Sequence, residues 1–185
     1  MKRSDAWLHA SVDYDRLWML RAVRDAGLLS GAEYARRAPE ERARLNQPGV
    51  DWLDKWVFGF AYNVEREADA VEALTAKPPD LEIPRGAWLA EVAAGQVEAI
   101  AGHPARGITL LTSGLLSCDG LWSLPRAYLR AKLYLGRANE LTGDKAAACA
   151  AYAGVLERWG KAKPRSTTAS EARSRATKLG CASLP

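Results

Sequence analysis

Two glycines seven residues apart occur twice in this chain, each pair followed by small and large residues in one register, and this recurrence limits the fold more than any other feature. Laying "AAGQVEAIAGHPARGITLLTSGLL" on "YLGRANELTGDKAAACAAYAGVL" pairs Gly95 with Gly136, Gly102 with Gly143, His103 with Asp144 and Gly107 with Ala148. The same constant shift pairs Leu111 with Tyr152 and Gly114 with Val155. A repeat of this size points to a solenoid, in which each unit buries a face against its neighbour.

The rest of the chain reads as helix punctuated by turns. Ala, Leu, Arg and Glu dominate, whereas Val, Ile and Phe are scarce, so the chain is expected to be all-α. From Val12 to Ala26, the residues Tyr14, Leu17, Trp18, Leu20 and Val23 fall at helical steps on one expected inward face. "SGAE" (Ser30 to Glu33) and "TASE" (Thr168 to Glu171) have the spacing of capping boxes, which would start helices at about Gly31 and after Thr168. "NQPG" breaks the former near Leu45, and "VDWLDKWVFGFAYNV" is expected to form a third helix with Trp52, Trp56 and Phe60 facing inward. Pro78, Pro79 and Pro84 mark the expected hinge, since few helical hydrogen bonds survive among them. Four amphipathic stretches follow, with Pro104 and Pro125 suited to first turns and Asp144 to a cap. The expected segments are 1–84, degenerate N-terminal helical hairpins; 85–160, two repeats; and 161–185, a basic linker with a C-terminal capping helix.

The pattern resembles a tetratricopeptide repeat, most clearly from about Gly86 to Gly160. The resemblance implies antiparallel helical hairpins stacked in a short right-handed superhelix. It also assigns structural roles. Gly95 and Gly136 allow close helix approach, Gly102 and Gly143 close the turns, Ala148 occupies the crossing, and Tyr152 fills the space beside it. The match departs from the family at Lys132, where a large aromatic is usual, at Asn139 and at Gly107. The tail from Ala151 to Cys181 also resembles the final repeat and terminal helix of tetratricopeptide regions attached to bacterial eukaryotic-like serine/threonine kinases. No Gly-rich nucleotide loop, His-Arg-Asp loop or Asp-Phe-Gly stands in the sequence, so the chain is not itself expected to be a kinase.

In such arrays the first helix of each hairpin lines a concave, peptide-binding face. The resemblance places Arg130, Leu133, Arg137 and Glu140 there from the second hairpin, and Leu89, Val92, Gln96 and Ala99 from the first. Arg130 and Arg137 lie two helical turns apart and are expected to face one anionic ligand. Among seven tryptophans, Trp52 and Trp56 are the candidate aromatic anchors.

Little in the sequence points to bond-making chemistry. His9 and His103 are the only histidines, and Cys118, Cys149 and Cys181 match no metal-ligand spacing, which favours buried free thiols. Asp13, Asp15, Asp51, Asp54, Glu65 and Glu67 read as solvated or Arg-paired carboxylates. The net charge of +4 is mixed along the chain except in the C-terminal stretch, where Lys161, Lys163, Arg165, Arg173, Arg175 and Lys178 form a candidate anionic-ligand or nucleic-acid surface. The expectation is therefore a noncatalytic protein-interaction scaffold without cofactor or metal, cytoplasmic, not inserted in a membrane, binding a peptide or protein more readily than nucleic acid.

Overall fold

The computed structural model describes residues 17, 19–45, 51–117 and 124–181, and among these residues all regular structure is helical. A helical segment at 19–25 is followed by α1 (Gly31–Arg44), α2 (Trp52–Trp56), a π-helical turn (Val57–Ala61), and α3 (Glu67–Ala76). Then come α4 (Trp88–Ile100), α5 (Pro104–Leu115), α6 (Pro125–Thr142), α7 (Lys145–Trp159) and α8 (Thr167–Leu179). Trp7, Trp18, Trp122, His9, Asp13, Tyr14, Asp15, Cys118, Asp119 and the "NQPG" break lie outside the described residues.

Helix α4 is the hub. From Ala90 to Ala99 every residue is buried, because α4 packs against the π turn, α3, α5 and α6. The later helices follow a regular order of neighbours: α4 on α5, α5 on α6, α6 on α7 and α7 on α8, with α6 also touching α4. Both repeat turns close in the same way. Gly102 and Gly143 take φ of 90° and 81°, and the next amide reaches back at 2.9 Å, His103 to Glu98 and Asp144 to Asn139. That left-handed step suits a residue without a Cβ.

Close packing at the crossings explains the glycines. A methyl on Gly95 would stand 2.8 Å from both Leu111 Cγ and the Leu111 backbone nitrogen, and one on Gly107 would stand 2.9 Å from Ala99 Cβ. In the second hairpin a methyl on Gly136 would fall 2.3 Å from Tyr152 Cε1, with Ala148 fully buried beside it. Lys132 fills space of a different kind: its Nζ would lie 2.7 Å from a methyl on Gly154 and sits 5.6 Å from the centre of the Tyr128 ring.

The helix starts differ partly from the sequence reading. Ser30 accepts from the Glu33 amide at 3.1 Å, but the Glu33 carboxylate bonds Arg36 and Arg37 instead of turning back, so only half the capping box forms. α8 begins earlier than "TASE" implies: Ser166 is the cap, accepting from the Ala169 amide at 3.2 Å, and Thr168 lies inside the helix. The expected third helix is cut short, since Asn63 adopts φ of 58° just beyond the π turn.

The N-terminal amphipathic reading also needs correction. Leu17 is buried and Leu20 packs on the same cluster as expected, yet the most buried positions that follow are Arg21 and Arg24, while Val23 is exposed. Helical periodicity holds, but arginines occupy the inner face. Arg21 donates to the Tyr34 hydroxyl at 3.2 Å and the Tyr62 carbonyl at 3.0 Å. Arg24 grips Asp69 through two bonds, at 2.9 and 2.5 Å, and lies 4.3 Å from the centre of the Tyr34 ring.

The proline-marked segment is no loose hinge. Leu81 and Ile83 pack on one apolar cluster that joins Trp56, Val57, Ala61, Val64, Ala70 and Ala73 to Ala90, Ala93, Ala94 and Val97. The core thus crosses the 84/85 position. The expectation of free thiols fails for Cys149 and Cys181, which form a disulfide tying the end of α8 to α7. No helix among the described residues is long and apolar enough to cross a membrane.

Candidate functional site

The face expected to receive a peptide is occupied by the chain itself. Residues 62–66, the irregular run between the π turn and α3, lie across the α4 and α6 surfaces. Gln96 donates through Nε2 to the Val64 carbonyl, and the Tyr134 hydroxyl is 3.3 Å from the same oxygen. Tyr134 also donates to Glu65 Oε2 at 2.8 Å, and Arg130 binds Glu65 Oε1. Val64 itself is fully buried. The irregular run is thus held by side chains of α4 and α6, through the Val64 carbonyl and the Glu65 carboxylate.

The expected concave residues consequently separate. Leu133 is core, packed with Ala148, Tyr152, Val155, Leu156 and the alanines of α8. Val92 and Ala99 are buried, and Leu89 packs against the α3 and α4 cluster. Glu140 accepts from the Tyr152 hydroxyl at 2.7 Å and from Arg175 at 2.9 Å, so it joins α6 to α7 and α8. Burial first, and then the bond to Glu140, raise the Tyr152 hydroxyl far above its ordinary pKa.

Arg130 and Arg137 do not converge on one open site. They flank the Tyr134 ring, their guanidinium carbons 5.9 and 4.9 Å from its centre. Arg130 borders a cleft of about 650 Å³, and Arg137 a smaller one of about 210 Å³, with Glu65 in the wall of both. Tyr134 shares a helical face with the two arginines, three and four residues from them, so that spacing was the available signal for it. Glu65 and Val64 had none, because only tertiary folding brings them there.

The tryptophan pair is likewise split. Trp56 is buried and donates through Nε1 to the Ala73 carbonyl at 2.7 Å, whereas Trp52 is 63% exposed beside Lys55. They do not form a joint anchor. In the basic tail, Arg173 donates to the Gly160 carbonyl at 3.1 Å, and Arg175 is held by Glu171 and Glu140. Arg175 serves the fold, and the exposed basic surface of the tail consists of Lys161, Lys163, Arg165, Arg173 and Lys178, with Arg173 bonded to the Gly160 carbonyl.

His103 stands at the N-cap of α5 without capping it, its Nδ1 being 2.9 Å from Glu98 Oε2. Asp51 caps α2 by accepting from the Asp54 amide at 2.8 Å, and burial and then the Asp51 charge push the Asp54 carboxyl above its ordinary pKa. Among the described residues no group of three or more His, Cys, Asp or Glu is placed to hold a metal ion.

Comparison of the chain with family models, curated proteins and solved structures finds no match.

Proposed function

We propose that this chain is a noncatalytic interaction scaffold: two tetratricopeptide-like hairpins in a short right-handed superhelix, capped by α8, acting as the docking or regulatory part of a kinase-type bacterial signalling system. The observation that carries this reading is the equivalence of the two hairpins at matched positions. Gly95 meets Leu111 as Gly136 meets Tyr152, and both turns close through the same glycine geometry. Such a module works by positioning, and its rigid crossings supply a fixed surface for a protein partner.

Since residues 63–65 fill the face of α4 and α6, the partner is assigned to the outer surface, where Trp52 is an exposed aromatic. The Cys149–Cys181 bond favours work in an oxidising compartment over the cytoplasmic location expected from sequence. Affinity capture from the source cells tests the scaffold, comparing the native chain with Trp52→Ala and with the double change of Arg130 and Arg137 to Ala. A specific partner lost with Trp52→Ala supports the reading. Absence of any specific partner for the native chain overturns it, and loss only in the arginine variant would return the site to the inner face.

A further inference from the structure

The arginines in the body of the molecule are matched by carboxylates within the fold. Arg24 meets Asp69, Arg42 meets Glu72, Arg66 meets Asp25, Arg106 meets Glu98 and Arg130 meets Glu65. At the turn between α7 and α8 this matching stops. Arg158, Lys161, Lys163 and Arg165 are all exposed, and among the described residues none of them has a hydrogen-bonding, ion-pair or ring partner for its side chain.

A fifth cation joins them from further along the chain. Arg173 reaches back from α8, its Nη2 3.1 Å from the Gly160 carbonyl, and remains exposed. A carbonyl satisfies the hydrogen bond but leaves the charge without a counter-ion. Between residues 157 and 170 the one carboxylate is Glu157. Glu171, the next, is turned to Arg175 and Arg137. The excess of positive charge at this end is therefore local, although the chain as a whole carries only +4.

The turn is also presented from a fixed frame. The alanine seam of α8 and the Cys149–Cys181 bond hold α7 and α8 together, so residues 160–166 run between two anchored helices. A cluster of like charges on such a frame repels itself, and a polyanionic partner relieves that repulsion and is steered to it. Charge alone would admit an acidic protein or a nucleic acid. Trp159, the aromatic of this turn, packs against the Leu133 and Tyr152 cluster instead of offering its ring to bases. The disulfide, which favours an oxidising compartment, adds weight to protein.

We propose that the turn between α7 and α8 is a docking surface for an acidic protein segment, a run of Asp or Glu carboxylates received by Arg158, Lys161, Lys163, Arg165 and Arg173. This deepens the scaffold reading, on which it rests, by giving the chemistry of a partner and a second contact surface far in sequence from Trp52.

Fluorescence anisotropy of a labelled octaglutamate peptide titrated with the full chain tests it, with a labelled single-stranded DNA of equal charge as the rival. Saturable peptide binding is expected, weakening as salt rises and tighter than that of the DNA. The triple change Lys161→Gln, Lys163→Gln and Arg165→Gln should weaken it about tenfold, since each exposed pair contributes little by itself. Arg85→Gln, Lys145→Gln and Lys178→Gln together remove the same charge from exposed positions elsewhere, and should leave the peptide affinity within about twofold of native. No saturable peptide binding, equal losses in the two triple variants, or tighter binding of the DNA overturns the proposal. Sedimentation of the chain alone supplies a further check: dimers abolished by the turn variant would give this surface to a second copy and overturn it as well. If a variant does not fold, peptide-induced amide shifts of the native chain decide, centred on residues 158–166 in support and elsewhere in refutation. Because both components are purified, this titration can fail while capture of a partner from cells succeeds, so the docking chemistry and the scaffold fall separately.

Discussion

At the scale of single residues, the glycines divide by what stands opposite them. At Gly95 the obstacle includes the Leu111 backbone nitrogen at 2.8 Å, which cannot move without shifting α5. At Gly154 the nearest atom is the Lys132 Nζ, the free end of a flexible chain. Gly95→Ala is therefore expected to destabilise the protein by roughly 1 to 3 kcal/mol through overpacking. Gly154→Ala should be near neutral or stabilising by up to about 1 kcal/mol, because alanine is the better helix former. Urea denaturation of both variants checks the contrast, and equal losses would contradict it.

Asp69 gives a second prediction at this scale. Burial pushes its carboxyl up, and the bonds from Arg24 outweigh that to hold it below the ordinary value. A depressed folded-state pKa stabilises above the unfolded value, about 3.9, and that contribution is lost as pH falls through the folded value. Stability should thus drop on acidification below about pH 4. Asp69→Asn should flatten this acid limb and lower stability near neutrality by roughly 1 to 3 kcal/mol, since buried Arg24 loses its two-bond partner and keeps only Asp25 as counter-charge. Denaturant midpoints measured against pH for both chains test this, and an unchanged acid limb in the variant would refute the assignment.

At the scale of elements, α8 is held by an alanine seam against α7, by Arg175 bridging to Glu140, and by the disulfide. Its inner residues Ala169, Ala172 and Ala176 are small, so the buried area is modest for a helix of this length. The covalent tie spans 32 residues, and closing a loop of that length stabilises by about 3 to 4 kcal/mol in the chain-entropy view. Reduction, or Cys149→Ser, is expected to lower the denaturation midpoint and to speed amide exchange in α8 before α4. Uniform exchange across both helices after reduction would show that the bond does not act locally. The short α2 and its π turn show the opposite case, an element whose length is set by its neighbours: Arg42 lies 4.6 Å from the centre of the Phe60 ring and bonds Glu72, clamping the turn between α1 and α3.

At the scale of the whole molecule, the apolar cluster around Trp56 and Val97 joins the N-terminal elements to the first repeat hairpin. Thermal unfolding followed by far-ultraviolet dichroism and by tryptophan emission should give coincident transitions, as one shared core requires. Two separated transitions would instead assign the segment before Pro84 to an independent unit. The same union sets residues 64 and 65 against α4 and α6, since Val64 and Glu65 are delivered to Gln96, Arg130 and Tyr134 only when the two halves pack.

Sequence by itself determined the all-helical character of the described residues and the two glycine-closed turns, because each follows from local periodicity or φ preference. The candidate site was far less legible. Nothing in local spacing separates Trp52 from Trp56, or tells that Arg130 will meet a carboxylate from 65 positions earlier in the chain. It was tertiary structure that decided which arginines are buried, which cysteines pair, and that residues 64 and 65 lie against α4 and α6. These depend on long-range packing, where a side chain's partner is fixed by how whole helices cross and not by the residues beside it.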